Sequence, residues 1–456
     1  MVSAPAETNM GDTNRHLEGK MEPAVNLRRT LWPATLSALV CALCSLPATA
    51  GGLMLYEAGT ADVGLASAGY GARAQDASTV LTNPAGMVKL DGSQFLAGAQ
   101  ALYGDAHLSF TTTANTASGG DGGNPIGWAP GASAFYTHQI SPDLSIGIGL
   151  AGTFGLSEKY DDGWAGRYYI KEATLIGISV LPSIAYRVND KLSLGLSLNA
   201  MYGMLEDKVA VNNLNPTLAD GQLKVSDNVW GLGVNLGMLY EFSQDTRVGV
   251  AYTSEVKLGF KPNADFSGIG PALSTVLNAR GLSGARVNLD MYVPQTVMAS
   301  LYTQMSPHWA VLAGAGWQQW SRFGKVDVSV ESSNPLSLTT DTGFKDTWHG
   351  ALGAQYRQDA NWLYNFGVAY DSAYQDSGRM TPSLPGNAAW RLGAGLERQV
   401  PSGLGWGAAA EVALSSNQNI NKVSSLPVAA GGRGDIDGSF RNTQLYFLVA
   451  YLNWKF

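Results

Sequence analysis

Residues 191–202 alternate strictly. Leu192, Leu194, Leu196, Leu198, Ala200 and Tyr202 take one parity, and Lys191, Ser193, Gly195, Ser197 and Asn199 the other. Residues 229–242 repeat the pattern, with Trp230, Leu232, Val234, Leu236, Met238, Tyr240 and Phe242 against Gly231, Gly233, Asn235, Gly237 and Glu241. In residues 361–371, Trp362, Tyr364, Phe366, Val368 and Tyr370 alternate with Asn361, Asn365, Gly367 and Asp371. A period of two predicts strands with one apolar and one small or polar face. The runs exceed the roughly 5–6 residues of an ordinary strand. They approach the roughly 9–11 that a tilted membrane-spanning strand needs. Trp230, Tyr240, Trp362 and Tyr370 stand near the ends of these runs, as an interfacial aromatic girdle requires.

The connections alternate in length. Short turns are predicted at Ser141-Pro142-Asp143, Asn189-Asp190, Gln244-Asp245, Ser306-Pro307, Gln358-Asp359 and Pro401-Ser402-Gly403. Long polar or Gly-rich stretches lie near 105–130, 156–172, 206–227, 261–286, 321–343, 373–386 and 415–440. Six turns and seven long loops join fourteen strands. The expected fold is therefore all-β, a fourteen-stranded antiparallel transmembrane β-barrel, closed because lipid cannot satisfy an open sheet edge. Residues 441–456 place Tyr446, Leu448, Ala450, Leu452, Trp454 and Phe456 on one face, a pattern similar to the terminal assembly signal that the barrel assembly machinery reads.

Composition agrees. Charged residues are 14% against about 25% in ordinary domains. Glycine is abundant, at 55 of 456 residues. Mean hydropathy is only −0.02, so a bundle of apolar helices of about 20 residues is excluded. A net charge of −7 argues against nucleic acid as a partner. Arg28-Arg29, an apolar run over about 31–46 and Ala48-Thr49-Ala50 predict a signal peptide of about residues 28–50 within a leader of 1–50. Either Met1 or Met21 serves as the start. Both cysteines, Cys41 and Cys44, fall inside that leader. A disulfide framework and a thiolate metal site are thereby excluded from the mature chain.

Residues 72–90 break the pattern. They have no period of two, and Asn83-Pro84 marks a bend. This stretch, with Gln75-Asp76-Ala77-Ser78 and Asn83-Pro84-Ala85, resembles the N-terminal hatch of the FadL family of outer-membrane long-chain fatty-acid transporters. Residues 252–257, Trp320-Ser321-Arg322-Phe323 and Gly343-Phe344-Lys345-Asp346 are similar to blocks of the same family. The resemblance implies a hatch at 51–91 inside a barrel of 92–456, with Asn83, Pro84 and Ala85 in gating. It also implies passive, ligand-gated uptake of hydrophobic compounds across the outer membrane. Long-chain fatty acids come first, and aromatic or alkane hydrocarbons are the alternative within the fold. Outer-membrane lipid and lipopolysaccharide would surround such a barrel.

Candidate ligand contacts follow by position. Glu255, Lys257, Arg391, Glu397 and Glu411 fall on the lumen parity with Phe135, Leu175, Leu181, Val229, Leu363, Phe447, Val449 and Tyr451. Lys257 and Arg391, and in the second long loop Arg167, are candidate partners for a carboxylate, or else pair structurally with acidic neighbours. Ile269, Leu273, Val276, Leu277 and Leu282 recur at helical spacing in the fourth long loop, and the third long loop holds Leu214, Leu218 and Leu223. The resemblance implies helical insertions of these two loops that form an apolar outer groove. Gly147, Gly149 and Gly152 formally match a dinucleotide fingerprint, but they lie inside a strand rather than before a helix. No cofactor is expected. These glycines either mark the strand whose kink opens the barrel wall in the family, or make room for the plug.

A barrel hydrolase is the competing class. His107, His138, His308 and His349 are the histidines available after the leader. His349 faces the lumen between Thr347 and Ala351, and neither supplies a base–nucleophile pair. No metal site and no catalytic residue is assigned.

Overall fold

The computed structural model describes residue 56 and residues 58–215, 217–331, 336–376, 379–383, 387–400 and 403–456. The leader, its signal sequence and the first hatch residues lie outside these ranges. The strands run β1 (Ser93–Asp105), β2 (Leu108–Thr111), β3 (Gly127–Ser141), β4 (Leu144–Lys159), β5 (Glu172–Arg187), β6 (Leu192–Val211), β7 (Gly221–Glu241) and β8 (Thr246–Thr253). Then come β9 (Val256–Phe260), β10 (Asp265–Ser267), β11 (Arg286–Val293), β12 (Thr296–Gln304), β13 (Trp309–Gln318), β14 (Lys325–Glu331) and β15 (Leu336–Asp341). The last are β16 (Thr347–Arg357), β17 (Trp362–Asp371), β18 (Ala389–Gln399), β19 (Leu404–Ser415), β20 (Gln418–Lys422), β21 (Ile436–Phe440) and β22 (Gln444–Lys455).

Fourteen of these, β1, β3 to β8, β12, β13, β16 to β19 and β22, make one antiparallel ring. The ring closes where β1 pairs with β22, with Phe95 opposite Trp454 and Tyr103 opposite Tyr446. The expected turns join successive barrel strands. The alternation is inverted relative to a soluble sheet: Leu194, Leu196 and Leu198 are exposed toward lipid, while Ser193, Ser197 and Asn199 are buried toward the lumen. Lipid, not water, is the solvent of the apolar face. Tyr240, Trp362 and Tyr364 belong to the girdle on the short-turn side, and Trp230, Trp390 and Trp128 to the opposite one. Trp230 is not at a strand end, because β7 continues past it to Gly221.

That continuation corrects the third long loop. Residues 206–227 are mostly strand, not a helical insertion: β6 reaches Val211 and β7 starts at Gly221. Their charges pair across strands above the membrane, Lys208 with Glu172 at 2.8 Å and Lys224 with Glu206 at 2.9 Å. The fourth loop does carry its helix, α1 (Pro271–Ala279). The fourth and fifth loops also build a sheet ordered β15-β14-β11-β9. It lies against the lumen face of β6 and β7. A Cβ on Gly203 or Gly233 there would press on Leu258 or Val256 of β9. Val256, Leu258, Phe260, Val287, Leu289 and Met291 form one core with the wall residues Phe154, Leu175, Met201 and Leu205. The outer lumen beside β4 to β7 is thus packed with apolar side chains.

The hatch fills the other half. A 3-10 turn (Ala61–Val63), a single helical turn (Thr79–Thr82) and a second 3-10 run (Pro84–Lys89) are almost wholly buried. Asn83 is extended (φ −164°, ψ 100°), so the chain bends there, as the following proline demands.

Candidate functional site

Where hatch, wall and inserted sheet meet, a cavity of about 60 Å³ remains, lined by Tyr56, Tyr70 and Thr82 of the hatch, Thr153 and Met298 of the wall and Val293 of the sheet. It has room for one or two waters, not for an extended chain. The buried side-chain oxygens of Asn199 and Asn235 border it without a hydrogen-bond partner among the described residues.

The wall beside this cavity is interrupted. The β3–β4 ladder stops at Ser133 opposite Ala151. Beyond that pair β3 stays joined to β1 as far as Gly127, and β4 to β5 as far as Lys159. A slot therefore separates residues 127–132 from 152–158, bounded above by the hydrogen bond from Lys159 N to Pro125 O at 2.7 Å. A bulge between Gly152 and Phe154 bends β4. The bulge shifts the alternation by one, which turns Phe154 inward onto Trp320 and Phe323. The three candidate glycines divide. A Cβ on Gly147 or Gly149 would press on Met87 or Val80 of the hatch, so these two make room for the plug. A Cβ on Gly152 would meet nothing within 4 Å, at the slot itself.

Hatch and wall are joined by hydrogen bonds given from both sides. Asn83 donates Nδ2 to Gly71 O at 2.6 Å and Met238 O at 3.0 Å, and its Oδ1 accepts from Ala85 N at 3.1 Å. Arg247 of β8 donates to the carbonyls of Ala72 and Arg73, and Arg187 of β5 to Val88 O at 2.7 Å. Lys89 reaches Glu241 of the β7 wall at 2.7 Å, whereas Arg73 serves the hatch itself, binding Asp62 at 3.0 Å and Asp76 at 2.6 Å. This holds Ala66, Ser67 and Ala74 at positive φ, a conformation costing about 1–2 kcal/mol per residue.

The candidate carboxylate contacts are all paired. Lys257 is not on the barrel wall. It lies on the far face of β9 from the apolar core, half exposed, and binds Asp290 of β11 at 2.6 Å, while Glu255 meets Arg322 at 3.6 Å. Chain departure from the wall after Thr253 explains the change of face. Arg391 does face the lumen and is buried, held by Asp371 at 2.5 Å and Glu411 at 2.8 Å. Arg167 ties extracellular loops together: it binds Asp220 at 2.6 Å and donates to Ser118 O and to the Tyr168 hydroxyl. Burial, then the hydrogen bond to Asp220, push the Tyr168 hydroxyl up to about 12. Of the outer apolar residues, Leu214, Leu218 and Val276 are exposed, Ile269 and Leu273 half-buried, and Leu277 and Leu282 buried. Leu218 packs at Gly270 and Ile269 at Gly221, so a groove wall forms without a second helix.

One group was missed on the sequence. His349 Nδ1 lies 2.7 Å from Asp371 of the next strand, because the β16–β17 hairpin sets the two opposite. The Asp–His pair that the sequence seemed to lack is present. No hydroxyl nucleophile completes it, since buried His349 Nε2 has no partner among the described residues.

Comparison with known proteins agrees with this geometry. The sequence profile described as outer membrane protein transport protein (OMPP1/FadL/TodX) matches residues 41–431. A long-chain fatty acid transport protein of Escherichia coli is 30% identical over 399 residues, 81% of this chain and 88% of that protein. Outer membrane protein P1 of Haemophilus influenzae is 28% identical over 72% of this chain and 78% of its own length. A Pseudomonas aeruginosa FadL homologue superposes with a TM-score of 0.79 at 18% identity, over 89% of this chain and all of that one. The toluene transporter TodX of P. putida gives 0.59 at 15% identity over 87% and 99%. These two show the fold.

Proposed function

Because the chain belongs to the OMPP1/FadL/TodX family of outer membrane transport proteins, we propose that it takes up long-chain fatty acids passively, with the hatch as ligand-operated gate. The family is one of transporters rather than hydrolases, and the protein resides in the outer membrane. Cargo first settles on the exposed apolar patch of Leu214, Leu218, Ile269, Leu273 and Val276, with Leu277 and Leu282 anchoring the helix beneath. It then parts the apolar core of the mouth and reaches the cavity at Tyr56, Tyr70 and Thr153. Movement of the segment around Asn83, Pro84 and Ala85 accompanies its passage. It leaves through the β3–β4 slot at Gly152 into the lipid. The interruption of the ladder beside an apolar-roofed cavity carries this reading. Lipopolysaccharide and lipid would face the leucine band, and the strand ending at Phe456 would be the part that assembly machinery engages.

The test closes the slot. Gly131→Cys and Thr153→Cys can be joined by a short bifunctional maleimide, since Cys41 and Cys44 lie in the leader. Joined protein should lose uptake of labelled oleate by cells lacking their own transporter, and the unjoined double variant should keep it. Full uptake through the joined form would overturn the lateral route. A second reading, a neutral hydrocarbon as cargo, draws support from the pairing of Lys257, Arg391 and Arg167 with acidic partners. Competition of oleate uptake by an alkane and by toluene separates the two.

A further inference from the structure

We propose that His349 anchors the carboxyl group of the cargo and that the acid is received together with its proton. This rests on the fatty-acid reading and says where the head group goes once the three cations are accounted for.

His349 stands on the lumen face of β16. Asp371 of β17 fixes its tautomer: Nδ1–H donates to the carboxylate, so the lone pair of the neutral ring is on Nε2. That nitrogen is buried and lacks a partner among the described residues, an arrangement that costs free energy unless something fills it. The Tyr56 ring of the hatch lies 4.7 Å from the His349 ring and borders the cavity with Met298. Gln318 donates to the Tyr56 hydroxyl. Tyr56 thus stands between the cavity and the histidine, at the upstream end of the described hatch, and a shift of that one side chain joins the two.

The charges around His349 decide what it accepts. Asp371 of β17 and Glu411 of β19 are set against Arg391 of β18, whose guanidinium is 5.8 Å from the Tyr56 ring. Among the described residues the cluster holds two carboxylates and one guanidinium. A bare carboxylate would add another buried negative charge, a costly step. The neutral acid adds none. Its O–H proton passes to Nε2: the O–H bond breaks, the N–H bond forms, and a carboxylate is left against an imidazolium with the net charge unchanged.

Calorimetry on the purified protein in detergent tests this. Oleate and methyl oleate are titrated in buffers of different ionisation enthalpy, which counts the protons taken up. Wild type should take up about one proton per oleate and none per methyl ester, and its affinity for oleate should rise as the pH is lowered. His349→Gln should lose the proton. Oleate binding to wild type without a proton, or a proton kept by His349→Gln, would overturn the proposal. The wild-type count stands alone if the variant does not fold. If neither compound binds, the fatty-acid reading fails and the proposal with it.

Discussion

The Gly71 carbonyl of the hatch rests directly on Gly249 of β8, with no space for a methyl group between them. The same close approach recurs where Gly195 meets Pro84 and Ala85, and where Gly367 meets Leu65. The hatch backbone therefore lies on bare wall backbone. Gly249→Ala should push the hatch off β8, at about 1–3 kcal/mol by the usual cost of overpacking. Planar-bilayer recordings should show leak events absent from wild type. Ala at Gly152, where an added Cβ meets nothing, is the control and should stay silent.

Asn83 joins three backbone groups with one side chain. Asn83→Ala strands the carbonyls of Gly71 and Met238 in a buried place and removes the cap on Ala85. The expected cost is roughly 1–3 kcal/mol, borne by the hatch rather than the barrel. Limited proteolysis should cut the hatch of Asn83→Ala faster, while heat-modifiability on gels stays as in wild type. Equal cutting rates would mean that Asn83 does not brace the plug.

The barrel was legible because lipid makes alternation strict over long runs: Leu194 to Leu198 and Trp230 to Met238 belong to runs longer than an ordinary strand, with aromatics near their ends. What went unread lies above the membrane, where water returns and alternation loosens. Glu206, Lys208 and Lys224 look like loop residues, yet they sit on extended strands whose neighbours neutralise them. Val326, Val328 and Val330 do alternate, and they signal the inserted β14 strand, but a fourteen-strand count left no place for it. The Asp371–His349 pair was available in principle, because a turn at Gln358-Asp359 sets those two residues opposite. The wall parity of β8 cannot be extended through Ser254 to Lys257, because the chain leaves the wall there. Parity does not survive such a departure.

Replacing Lys257 and Arg391 by Met should give different results. Lys257 forms a half-exposed pair with Asp290, so Lys257→Met should shift stability by no more than about 0–1 kcal/mol and leave oleate uptake unchanged. Arg391→Met would leave Asp371 and Glu411 buried without their cation, a loss of about 3–5 kcal/mol. Urea unfolding in detergent should show the second variant as distinctly weaker. A selective loss of oleate uptake in Lys257→Met would restore that residue as a ligand contact.

Phe456 closes the ring at its seam. Its backbone N donates to Ser93 O at 2.9 Å, and its carbonyl accepts from Ser93 N at 3.0 Å, at the start of β1. Its ring lies 6.4 Å from Tyr136 and 4.8 Å from Trp454 in the girdle of the short-turn side. Deleting Phe456 removes both bonds where lipid offers no replacement. The folded, heat-modifiable fraction in outer membranes should fall, with unfolded chains accumulating in the periplasm. An unchanged folded yield would show that the seam closes without it.

Removing the hatch is the most direct test of the gate. A fourteen-stranded ring encloses more space than its own side chains fill, and the segment before β1 occupies the half that the inserted sheet leaves. The apolar core of the mouth packs on Phe154, Leu175 and Met201 of the wall rather than on the hatch, so it should survive the deletion. The periplasmic half would then be open, and the Gly147 and Gly149 faces of β4 would meet water in place of Val80 and Met87. A chain lacking residues 52–88, with leader and barrel kept, should fold and conduct ions steadily. It should also lose ligand-dependent uptake, because a ligand shifts a gate only by binding its two states unequally, and one state no longer exists. Single-channel recording reads the first effect and labelled oleate the second. A deletion barrel that folds yet stays electrically silent would show that the inserted sheet alone closes the lumen.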